Sequence, residues 1–231
     1  MVRFGALLSL CPGTAEACRL ALVLAIDVSS SVDADEDALQ RGGLAAALVA
    51  PEVVQAFLIS PDPVALAVFE WSGRYNQADL LDWTMIRSAA DLQAAAQTIR
   101  TSRRSHNDFP TAMGYALGHA AGKLDKGPDC TFRTIDMAGD GVNNDGFGPA
   151  EAYAAFPFDG VTVNGLVDNG ADYEGEINLI PFYETQVIRG PGAFVEIADG
   201  FADYATAMER KLIRELGAMA IGGTARGEDA G

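Results

Sequence analysis

Long apolar runs are missing from this sequence. None approaches the roughly 18–20 residues that a membrane-spanning helix needs, so no span is expected. Basic residues are scarce as well: 16 Lys and Arg stand against 32 Asp and Glu, a net charge of −16. Such a surface repels phosphate backbones and argues against a nucleic-acid partner, while it concentrates divalent cations. Histidine occurs twice, and neither His106 nor His119 has a Cys or His at zinc-ligand spacing. Neither a Gly-x-Ser-x-Gly elbow nor a phosphate-binding Gly-Lys-Ser loop is present. Those absences remove the commonest hydrolase and nucleotide-binding signals.

What is present begins with a segment that reads as an export signal. Arg3 precedes the apolar run Phe4 to Leu10, Cys11-Pro12-Gly13 breaks it, and Ala15-Glu16-Ala17 offers small residues where a signal peptidase cuts. Residues 1–17 are therefore expected to be a signal peptide, placing the mature chain in the periplasm or outside the cell. Cys18 directly after the cut would also suit a lipoprotein, although Glu16 fits a lipidation box poorly. The two remaining cysteines, Cys18 and Cys130, suggest one disulfide in an oxidising compartment.

Strands and helices alternate along the rest. Arg19 to Ile26 and Val64 to Trp71 are continuous apolar runs expected as strands covered on both faces. Ala78 to Ile86 alternates like an edge strand, and Thr131 to Ala138, Val161 to Val167 and Ala193 to Ile197 read as further strands. Helices are expected over Asp35 to Ala47, Ala89 to Arg100, Thr111 to Leu124, Pro149 to Phe156, Ile177 to Val187 and Phe201 to Leu216. The acidic run Asp33, Asp35, Glu36 and Asp37 complements the positive start of the first helix better than it builds a calcium loop. The pattern predicts one α/β domain over residues 18–220, a doubly wound, mainly parallel sheet with one antiparallel edge strand, followed by a loose tail over 221–231.

In such sheets, binding groups gather at the carboxyl ends of strands, beside the point where strand order reverses. Three segments bring oxygen donors there: Asp27-Val28-Ser29-Ser30-Ser31 after the first strand, Thr111 after the loop Asn107 to Pro110, and Asp140 in Gly139-Asp140-Gly141. Here the sequence resembles the von Willebrand factor A family. Asp-x-Ser-x-Ser at Asp27, Ser29 and Ser31 is similar to that family's first metal-site segment. Thr111 to Leu117 looks like its second, and Gly139-Asp140-Gly141 like its third, usually Thr-Asp-Gly. Ile135 to Asn144 and Glu70-Trp71-Ser72-Gly73 resemble, more narrowly, a bacterial DUF1194-like subgroup.

The resemblance implies a metal ion-dependent adhesion site holding Mg²⁺, or Mn²⁺ or Ca²⁺. Ser29, Ser31 and Thr111 would ligate directly, and Asp27 and Asp140 partly through water. Three hydroxyls and two carboxylates leave the ion under-neutralised, so it keeps affinity for an Asp or Glu from a protein partner. The implied function is binding rather than catalysis. Because the first and fourth strands of that fold are parallel neighbours, it also implies a Cys18–Cys130 bridge at the end of the sheet opposite the metal.

A second reading is a Mg²⁺-dependent phosphatase of the haloacid dehalogenase kind, with Asp27 as nucleophile, Lys123 assisting, and Gly139 to Asp145 as its last motif. Ser29 stands where such enzymes commonly carry a second Asp, and this reading leaves Ser31 and Thr111 without roles. Asp136, in a strand, needs either a partner or an exposed face.

Overall fold

The computed structural model describes residues 18–169 and 178–224, and the side chains up to 217. The expected signal segment, most of the loop Asp168 to Gly175, and residues 225–231 of the expected tail lie outside the described residues.

Six strands form one sheet: β1 (Cys18–Asp27), β2 (Val64–Trp71), β3 (Gln77–Ile86), β4 (Cys130–Gly139), β5 (Val161–Asp168) and β6 (Val195–Ala198). Their order is β3-β2-β1-β4-β5-β6, and only β3 runs antiparallel, at the edge. The central strand β1 is buried throughout. Leu20, Leu22, Leu24 and Ile26 face one layer, while Ala21, Val23 and Ala25 face the other. That two-sided burial explains the unbroken apolar run, since a parallel strand covered on both faces has no polar side to show.

The first layer holds α1 (Ala34–Leu48), α2 (Pro51–Phe57), α3 (Ala89–Thr101) and α7 (Tyr204–Thr224); the second holds α4 (Met113–Asp125), α5 (Pro149–Ala155) and α6 (Leu179–Phe182). α1 starts at a capping box: Asp33 accepts from the Asp35 and Glu36 amides, and Glu36 accepts from the Asp33 amide. The acidic run thus serves a helix start.

Several expectations need correction. Thr111 does not open α4, which begins at Met113 with Ala112 as its uncapped N-cap. The segment expected as one helix to Val187 is instead the short α6 followed by a π-helical turn, Tyr183–Val187. α2 is an element the sequence pattern does not predict; Pro51 in its first turn is the local signal for it. α7 runs to Thr224, past the helix end expected at Leu216.

Cys18 pairs directly with Cys130 across β1 and β4, and the two form a disulfide with 4.6 Å between Cα atoms. Asp136 on β4 points into the first layer. It pairs there with Lys211 of α7, and Lys211 Nζ lies 2.6 Å from Glu215. All three are buried, and Glu215 accepts from Asn164 at 2.5 Å. Two carboxyls share one ammonium, and burial, then the Glu215 charge, push Asp136 up to about 7.

Removing the disulfide by Cys18→Ala/Cys130→Ala is expected to lower unfolding free energy by about 2–5 kcal/mol, read by denaturant titration. The Asp136 pair gives a second expectation. A raised carboxyl holds its proton more tightly when folded, so its contribution is fully present below about pH 4 and lost as pH rises through about 7. Calorimetric melting should therefore show Asp136→Asn gaining on the wild type between pH 5 and pH 8. An unchanged difference would contradict the coupling.

Candidate metal centre

The sheet's order reverses between β1 and β4, and both strands end there in acidic loops. Asp27 closes β1 and is fully buried. Its Oδ1 accepts from the Ser29 amide at 2.7 Å, while among the described residues Oδ2 has no hydrogen-bond partner. Beside it runs a chain of hydroxyls. Thr111 Oγ1 donates to Ser29 Oγ at 3.2 Å, and Ser29 Oγ and Ser31 Oγ are 3.1 Å apart. Ser31 donates to Asp140 Oδ1 at 2.8 Å. Ser31 has one proton and gives it to Asp140, so Ser29 must donate to Ser31. The chain is thus directional, from Thr111 to Asp140. All five residues expected at the site meet here, from three separate loops.

Each loop is held by groups that sequence reasoning missed. Arg104 is the main one. Its guanidinium donates to the carbonyls of Val28 (2.8 Å), Ser29 (2.9 Å), Val32 (2.6 Å) and His106 (2.7 Å). Gln40 of α1 donates to the Asp27 carbonyl at 2.8 Å. The segment bearing Arg104 is anchored in turn by buried Glu70, which accepts from the Ser105 amide at 2.7 Å and pairs with Arg41. Arg41 also holds Asp37 at 2.9 Å and Ser102 at 2.8 Å.

Thr111 is fixed by the loop after β4: Asn144 Oδ1 accepts from its amide at 2.9 Å, and its carbonyl accepts from the Asn144 amide at 3.0 Å. In the sequence Asn143-Asn144 is only part of a family signature, and this is its physical role. Gly139 also has a reason. A Cβ there would lie 2.9 Å from Asp27 Oδ2 and 2.9 Å from the Tyr183 hydroxyl.

Electrostatics favour a cation. Burial, then the Asp140 charge, raises Asp27 well above the usual carboxylate range, and burial raises Asp140. Two carboxyls in a desolvated pocket with an unpartnered oxygen and three converging hydroxyls fit a hard divalent ion, which takes oxygen ligands. Among the described residues no group of three or more His, Cys, Asp and Glu is arranged to hold a metal. The donor set here is mostly hydroxyl.

A family model described as "Protein of unknown function (DUF1194)" matches residues 17–220. The chain belongs to the DUF1194 family. No curated protein matches it in sequence. This DUF1194 chain has the fold of the von Willebrand factor type A structure from Catenulispora acidiphila, at TM-score 0.53 and 19% identity over 87% of this chain and 43% of that one. Proximal thread matrix protein 1 from the mussel byssus, with a zinc-occupied MIDAS motif, superposes at TM-score 0.58 with 18% identity, over 87% of this chain and 48% of that one. The pilus adhesin SpaC from Lactobacillus rhamnosus GG gives TM-score 0.59 and 13% identity over 87% and 30%. The DUF1194 chain spans about half the length of the mussel protein and less of the other two.

The geometry does not favour the phosphatase reading. Asp27 is buried and braced by the Ser29 amide, a poor setting for an attacking carboxylate. Lys123 pairs with Asp79 of β3 at 2.8 Å, and it lies about 15 Å along α4 from the helix start near Thr111. His106 bonds Ser105, His119 packs on Phe69, and Trp71 is core.

Arg104→Ala leaves the carbonyls of Val28, Ser29 and Val32 without a charged donor. It is expected to cost about 2 kcal/mol or more of stability in denaturant unfolding, with Arg104→Lys recovering only part. A loss below measurement error would show that the loop keeps its shape without the guanidinium.

Proposed function

We propose that the chain is a divalent-cation-dependent protein-binding module that works in the periplasm or at the cell exterior after loss of residues 1–17. One observation carries the reading: the hydroxyl chain Thr111–Ser29–Ser31–Asp140 beside the unpartnered oxygen of buried Asp27. Ser29, Ser31 and Thr111 supply the direct ligands, and Asp27 and Asp140 the charge that offsets Mg²⁺, or Mn²⁺ or Ca²⁺ in its place. Two carboxylates at most neutralise a divalent ion, and water-mediated contact neutralises it less. The ion therefore retains affinity for an Asp or Glu presented by a partner. The adhesin and the metal-bearing mussel domain among the fold neighbours support this general kind of role.

The surrounding rim suits protein contact. Tyr75 is 86% exposed and Phe109 is 39% exposed. Phe109 is tied to the metal loop through its carbonyl, which accepts from the Ser30 amide at 2.8 Å. Exposed aromatics of this sort supply binding energy at interfaces. Arg74 and Asp145, 2.7 Å apart, add a charged pair near Tyr75.

Isothermal titration with Mg²⁺ and Mn²⁺ is expected to show one site in the wild type, abolished in Asp27→Ala and weakened about tenfold or more in Ser31→Ala and Thr111→Ala. Ligand carboxyls raised by burial must lose protons to bind metal, so affinity should be higher at pH 8 than at pH 6. Partner capture should require Mg²⁺, disappear with chelator, and fail with Asp27→Ala. Absence of any cation binding, or capture indifferent to chelator, would sink the reading.

A further inference from the structure

Among the buried polar groups that the cation reading leaves unexplained, one reaches the site itself. Tyr183 opens the π-helical turn and is fully buried, yet among the described residues its hydroxyl has no hydrogen-bond partner. Its path to the site is built by two glycines. A Cβ on Gly165 of β5 would lie 2.5 Å from Tyr183 Cδ1, so the ring rests on bare backbone there. A Cβ on Gly139 at the end of β4 would lie 2.9 Å from the Tyr183 hydroxyl. The register places Gly165 opposite Met137, two residues before Gly139. The phenol therefore crosses from β5 to β4 through a trough that side chains on either residue would fill.

The same point at Gly139 is 2.9 Å from Asp27 Oδ2, the other unpartnered oxygen. An unpaired phenol O–H and an unpaired carboxylate oxygen, both buried, thus converge on one small space. Each is costly to leave alone, and they are complementary, one a donor and one an acceptor. Building on the proposed cation site, we infer that Tyr183 is a positioning residue for it. Its hydroxyl donates to Asp27 Oδ2 through one bridging water and holds that carboxylate in place for the ion. The sequence departs from Thr-Asp-Gly at Gly139, and the hydroxyl missing from that position is supplied instead by the π-helical turn, far downstream in the chain. Phe182, the residue before Tyr183, lines a cleft of about 530 Å³ together with Asn143 and Gln186.

The test compares Mn²⁺ titrations and metal-free melting of the wild type, Tyr183→Phe, Gly139→Thr and the double variant. Tyr183→Phe should weaken Mn²⁺ binding about tenfold or more, as for a lost hydrogen bond to a charged group. Its metal-free melting temperature should fall only as far as the loss of one hydrogen bond allows, while the rise in melting temperature that Mn²⁺ produces should shrink; a purely structural tyrosine would melt lower with the Mn²⁺-induced rise intact. Gly139→Thr alone should bind more weakly still, by steric conflict with both the phenol and Asp27 Oδ2. Adding Tyr183→Phe to it should relieve the conflict with the phenol but not that with Asp27 Oδ2, and so recover only part of the lost affinity. Wild-type affinity in Tyr183→Phe would overturn the inference and leave the cation site standing. Failure of the wild type itself to bind Mn²⁺ would remove both.

Discussion

A fully buried carboxyl with one oxygen unpartnered is the constraint around which this molecule is arranged. Asp27 ends a central strand that is buried throughout, where burial and a nearby second carboxyl both oppose its charge. A protein can relieve that tension with a proton, a basic side chain or a metal ion. Arg104, whose charge reaches both carboxyls, spends its donors on loop carbonyls instead. Directional hydroxyls from Thr111 and from Asp27's own loop end at Asp140 rather than at Asp27. The site thus gathers oxygen atoms and withholds cationic side chains, as a cation site requires.

The scaffold makes that gathering possible. β1 and β4 lie side by side with their carboxyl ends together, and the disulfide between their first residues fixes the register at the far end. From there, rigid connections reach each loop: Arg41 and Glu70 hold the segment bearing Arg104, and Asn144 holds Thr111. Charge elsewhere is kept separate. The Asp136–Lys211–Glu215 cluster lies in the opposite layer against α7 and belongs to the core.

Much of this is legible in the sequence. The bounds of Val64–Trp71 can be read directly, because a strand covered on both faces carries a continuous apolar run between polar breaks. The meeting of the five candidate residues is legible because hydroxyl and carboxyl types recur in order at strand ends. Local pattern fails where long-range contact decides the outcome. It places Thr111 at the start of α4, but the Thr111 hydroxyl is committed to Ser29, 82 positions away. The π-helical turn at Tyr183 follows from a tyrosine seated over glycines on two strands, which no window around residue 183 contains. Arg104 offers no signal at all, since its partners are backbone carbonyls and any loop supplies those.

One ion has to join three loops if this molecule works as proposed. Anomalous diffraction from crystals grown with Mn²⁺ tests this most directly. A single strong peak bonded to the hydroxyl oxygens of Ser29, Ser31 and Thr111, with Asp27 and Asp140 around it, is the predicted result. A map with no peak there, or with manganese bound only elsewhere on this acidic surface, would contradict it.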